Sequence, residues 1–141
     1  MAKRQTAMMP PLALLLSMLG LILNIGLAGL LLQPDWALAL LLATLLAHRG
    51  SWPWVFPGMF AHDAALHWSV WACLPIVLLL PYIISHVDDQ LGPGLPQRVV
   101  LMLIATLPLL WWGWGMEQWL LTLLLTIPLW YMVVRSYARA A

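Results

Sequence analysis

Charge is what this chain has least of. Six basic and five acidic side chains make up 8% of its 141 residues, where an ordinary soluble domain carries roughly 25%. Hydrophobic residues account for 64%. A chain this small has too much surface for its volume to hide that much apolar area by folding on itself, so lipid must cover the outside. A net charge of +1 gives a nucleic-acid role no electrostatic support. The single cysteine, Cys73, excludes an intramolecular disulfide and reads as a small buried hydrophobe. No small-residue cleavage site closes the apolar run after Lys3 and Arg4, so that run is expected to be a retained span rather than an export signal. No internal repeat or long polar linker divides the chain, which reads as one transmembrane helical domain over residues 1–141.

What is present is a series of apolar stretches. A spanning helix needs about 20 apolar residues, because hydrocarbon is about 30 Å thick and each residue rises 1.5 Å. Residues 10–32, 66–85, 99–114 and 119–134 meet or approach that length, while 36–47 and 52–61 are short. Lys and Arg collect on cytoplasmic flanks. Lys3 and Arg4 therefore place the start inside, and Arg135 and Arg139 place the end inside, which demands an even number of crossings. Gln33-Pro34-Asp35 suits an outer turn and His48-Arg49-Gly50 an inner one. The region 86–98, with Gly92-Pro93-Gly94 and Pro96, reads as an irregular cytoplasmic loop. Six segments, one or two of them short, satisfy every flank; five would strand Arg135 and Arg139 outside. Whether 52–61 crosses or turns back is open. The fold expected is an all-α polytopic helix bundle in contact with membrane lipid.

Several side chains stand out. Gly20, Asn24 and Ala28 recur every four residues and form a stripe along which another helix can approach, with Asn24 able to hydrogen-bond across the contact. The tryptophans near residues 111–119 and at 52–54 suit the headgroup layer. Trp68 and Trp71 are expected one turn apart on one helix face. Asp63 is an intramembrane carboxylate and hence a functional candidate, although it can equally cap a helix beginning at Ala64 or pair with His67 on the same face. His62 and His67, five apart, are expected on different faces of a helix. No Cys/His cluster has ligand spacing, so no metal and no cofactor are expected. With essentially one intramembrane ionisable group, neither enzyme nor proton pump is expected.

The stretch from Gln33 onward resembles the rod shape-determining MreD family of bacterial inner-membrane proteins. Pro34-Asp35-Trp36, then an apolar helix, then His48-Arg49, Gly58 and Asp63 carry the resemblance, with Ile127-Pro128-Leu129-Trp130 and the basic tail in support. The chain departs from the family's pattern after the aspartate, where it reads Leu66-His67-Trp68-Ser69, and at His48, which lacks a preceding proline. The resemblance implies a six-helix fold similar to the substrate-binding subunits of energy-coupling-factor transporters. It also implies a scaffold for an MreC-like single-pass partner and other subunits of the cell-wall elongation machinery. His48 and Arg49 would then form an inner-face corner, and Asp63 part of a core turn. The expected function is thus a non-catalytic inner-membrane scaffold supporting rod shape, with both termini cytoplasmic. The alternatives are a small-molecule-binding transporter subunit, with Asp63, His67 and Trp68 lining a pocket, or an accessory subunit of a membrane redox complex.

Overall fold

The computed structural model describes residues 2–140 and is all-helical in its regular structure, with no strand among the described residues. Six helices follow one another: α1 Ala2–Gly26, α2 Trp36–Ala47, α3 Trp52–His67, α4 Leu74–Leu91, α5 Leu95–Trp111 and α6 Met116–Ala140. A 3-10 turn, Arg49–Ser51, joins α2 to α3. Helices α1, α4 and α6 are long and apolar enough to cross a membrane. The twelve residues of α2 and sixteen of α3 reach only about 18 and 24 Å.

The shortest of the six, α2, lies at the centre. Its sequence is apolar on every side, and Ala37, Leu38, Ala39 and the run from Leu41 to Leu46 are all buried. Helices α1, α3 and α6 pack around it. A helix without a polar face has no preferred outer side, so it takes the position that neighbours enclose. The core extends from α2 through Val55 and Met59 of α3 and Val77, Leu80 and Ile84 of α4 to Met102, Ala105 and Leu109 of α5. The outward faces remain apolar, with Leu12, Leu15, Leu19 and Ile22 of α1 and Leu124 and Met132 of α6 exposed.

Proline sets several boundaries. Pro53, Pro75 and Pro96 occupy the first turns of α3, α4 and α5, where a missing N–H costs nothing. Pro10, Pro11, Pro57, Pro81, Pro108 and Pro128 lie inside helices, a placement that membrane helices tolerate.

Three boundaries differ from the expected ones. The segment expected at 66–85 is divided: α3 continues to His67, Trp68 takes a left-handed conformation (φ 52°), and α4 begins at Leu74. Trp68 and Trp71 therefore lie between helices, 93% and 73% exposed, instead of sharing a helix face. The loop expected over 86–98 shrinks to Gly92-Pro93-Gly94, because the bidentate pair of Arg98 with Asp88 (2.8 and 2.9 Å) ties the end of α4 to the start of α5. The short segment expected over 52–61 is longer: it begins the helix α3, which continues to His67.

The small-residue stripe of α1 divides in the structure. Gly20 abuts the start of α2, where an added Cβ would sit 2.9 Å from Trp36 Cβ and 3.2 Å from the Ala37 nitrogen. Ala28, by contrast, is exposed beyond the end of the helix at Gly26. Gly58 of α3 faces the tips of Leu41 and Leu14. Gly20→Ala is expected to destabilise by about 1–3 kcal/mol, since it presses on backbone that cannot move. Gly58→Ala should cost less, because leucine tips can rotate. Unfolding of the two variants in mixed detergent–denaturant measures the difference, and a more stable Gly20→Ala protein would show that α1 and α2 are not in close contact there.

Candidate functional site

The contacts sort the loops into two ends. At one end, the ring of His48 stacks on Tyr137 of α6, centroids 4.8 Å apart, and Ser51 Oγ lies 3.3 Å from the Tyr137 hydroxyl. His48 and Arg49 are exposed there and border a polar cleft of about 500 Å³ with Asp88, Asp89 and Arg98. The other end holds the densest polar cluster, and it is buried.

That cluster begins at Gln33-Pro34-Asp35. The segment forms the turn between α1 and α2, and within it Gln33 and Asp35 are buried. Asn24 of α1 folds it inward: its Nδ2 donates to the Pro34 carbonyl (2.8 Å), its Oδ1 accepts from the Trp36 N–H (3.1 Å), and its own carbonyl accepts from Gln33 Nε2 (3.1 Å). Trp36 Nε1 donates to Gln33 Oε1 at 3.3 Å. Asp35 is the N-cap of α2, with Oδ1 accepting from the Leu38 N–H at 3.0 Å. Its backbone N–H donates to Thr122 Oγ1 of α6 (2.9 Å). One carboxylate oxygen remains, and it faces His62.

His62 sits between two carboxylates. Its Nε2 is 2.5 Å from Asp35 Oδ2 and its Nδ1 is 2.9 Å from Asp63 Oδ1. All three side chains are 0% exposed. The second Asp63 oxygen accepts from the backbone N–H groups of Cys73 (2.9 Å) and Leu74 (2.8 Å). Asp63 is thus a cap, but of α4 across the fold, and not of a helix beginning at Ala64. The reason is local: α4 has no side-chain cap of its own, so its first N–H groups need an outside acceptor. Charged groups this deep persist only when paired and hydrogen-bonded. Here helices α2, α3, α4 and α6 meet in one saturated network.

His67 does not pair with Asp63. Its ring lies 5.5 Å from that of His62 and 5.8 Å from Trp112, and its Nε2 is buried without a hydrogen-bond partner. Five helical positions put two residues about 140° apart, yet here both rings approach the same cluster. The expectation of separate faces is not met at the side chains, which converge where α3 ends and the left-handed Trp68 turns the chain toward α4. One donor atom from each of His62, Asp63, His67 and Cys73 lies within 4.8 Å of the others.

The residues singled out in the sequence divide accordingly. Asn24, Pro34, Trp36, Asp63 and His67 gather at the buried end, His48 and Arg49 at the opposite end, and Gly20 and Gly58 at helix contacts. Asp35 and His62 were missed as site residues. In the sequence Asp35 is only part of a turn; the structure makes it the N-cap of α2, and nothing in the local sequence reveals a histidine twenty-seven residues away on its other carboxylate oxygen. The expectation of one intramembrane ionisable group therefore gives way to a linked buried trio. Asp63 and Trp68 do not share a pocket, since the first is wholly buried and the second almost wholly exposed.

Fold and site together define the class: an all-helical protein with helices able to cross a membrane, held at one end by a buried Asp–His–Asp network. No family model, curated protein or solved structure matches the chain.

Proposed function

We propose that this protein is a non-catalytic scaffold subunit of the bacterial inner membrane, of the MreD type, crossing six times with both termini in the cytoplasm. It binds an MreC-like single-pass protein and supports cell-wall elongation and rod shape. One observation carries this reading. Asp35 and Asp63, from two of the motifs behind the resemblance, meet through His62 in a network whose hydrogen-bonding capacity is spent on other parts of the same chain. Such a network holds a shape, and its three charged side chains are wholly buried and bonded to the fold itself. The exposed apolar faces of α1 and α6 provide surface for lipid and for partner helices.

The six helices run alternately between the two ends, and the positively charged tails fall at the end that carries His48 and Arg49, in keeping with the positive-inside rule. Depletion of the protein from a rod-shaped host is expected to yield spherical cells, and mild-detergent pull-down to recover a single-pass partner with the elongation machinery. Normal rods after depletion would refute the proposal. Recovery of transporter ATPases instead would point to a ligand-binding subunit.

A further inference from the structure

We propose that His62, Asp63, His67 and Cys73 form a binding site for one tetrahedral divalent metal ion of the zinc type, a structural staple where α3 meets α4. The proposal is independent of the scaffold reading.

Four donors of different chemistry converge there: two imidazoles, a carboxylate and a thiol, within 4.8 Å of one another. Zinc–ligand bonds of 2.0–2.3 Å put the edges of a tetrahedron at about 3.3–3.7 Å, so the set need close by only about 1 Å, within reach of side-chain rotation. A nitrogen, oxygen and sulfur set suits zinc and excludes magnesium or calcium, which take oxygen ligands.

The surroundings are those of a metal site. His62 Nε2 is held by Asp35 Oδ2, the carboxylate–histidine arrangement that orients the other ring nitrogen toward a metal. Asp63 Oδ2 is fixed by two backbone N–H groups, leaving Oδ1 on the cluster side. His67 Nε2 is buried with no partner, and the buried Cys73 thiol makes no hydrogen bond among the described residues. An unpaired buried ring nitrogen is a cost that a metal would remove.

Charge agrees. The two contacts around His62 require two protons shared among Asp35, His62 and Asp63, which leaves a net charge of −1 while the thiol is neutral. Metal binding displaces the proton between His62 and Asp63 and the thiol proton. Two protons leave, a divalent cation arrives, and the net charge in this low-dielectric place is unchanged.

The test uses the full chain in mild detergent, stripped with a chelator and re-equilibrated with zinc or cobalt(II). About one metal per chain is expected, with a tetrahedral cobalt spectrum that includes thiolate charge transfer and a rise in melting temperature on zinc addition. His67→Gln and Cys73→Ser, which break no hydrogen bond of the metal-free fold, should each weaken binding at least about tenfold and abolish the thermal shift, read against each variant's own metal-free melting temperature. His48→Ala/His86→Ala should bind like wild type. Failure of the wild-type chain to retain metal would overturn the proposal. So would equal binding by the His67→Gln/Cys73→Ser variant, which would place the metal elsewhere.

Discussion

His62→Leu is expected to destabilise the protein by about 3–5 kcal/mol, the range seen when one member of a buried ion pair is removed and its partner stays. The substitution leaves Asp35 Oδ2 and Asp63 Oδ1 facing each other across a space that water does not reach, both at 0% exposure. Neither carboxylate can withdraw, because Asp35 caps α2 through Leu38 and Asp63 holds the first N–H groups of α4. The stabilities of three proteins settle the matter when unfolded in mixed detergent–denaturant: wild type, His62→Leu, and the neutral variant Asp35→Asn/His62→Leu/Asp63→Asn. The neutral variant should recover part of the loss, since asparagine still accepts from the backbone donors and carries no charge. A His62→Leu protein as stable as wild type would show that the two carboxylates are not forced together, and the reading of this end as a structural knot would fail.

The second large effect lies one layer out. Asn24→Leu keeps the branched heavy-atom shape of the side chain and removes both hydrogen bonds that hold Pro34 and Trp36 against α1. The Pro34 carbonyl and the Trp36 N–H are left without partners, at a cost of about 1–3 kcal/mol for each group. Leucine is the better lipid-soluble residue, so a purely hydrophobic account of α1 predicts the opposite sign. Because this segment presents Asp35 to His62, the Asn24→Leu and His62→Leu effects should fall short of additivity when combined. Full additivity would mean that Asn24 and the ion network act separately.

The sequence marks Asp63 for a reason that covers only part of its role. Its placement in an apolar stretch marked it, and so did its position near a helix start. Its true partners, the Cys73 and Leu74 N–H groups and the His62 ring, include groups ten and eleven residues away. Finding these needed the chain reversal at Trp68, which no glycine announces: a tryptophan with positive φ is rare, and the sequence there gives no turn signal of its own. Asp35 gives no such sign in the sequence. Gln33-Pro34-Asp35 has the composition of a water-exposed turn, and only Asn24 and Thr122, on helices distant in sequence, turn it inward.

Composition and the long apolar runs determined that the chain is built of apolar helices, three of them long and apolar enough to cross a membrane, because 64% hydrophobic residues and few charges leave the backbone to satisfy its hydrogen bonds internally. The bounds of α2 were equally legible, set by Pro34-Asp35 before it and His48-Arg49-Gly50 after it. Tertiary structure alone decided that the shortest helix lies at the centre, that Asp35, His62 and Asp63 form one network, and that His67 and Cys73 join its edge. The physical reason is that periodicity describes one helix at a time. A buried charge chooses its partner through the distances between helices, and those exist only once all six have packed.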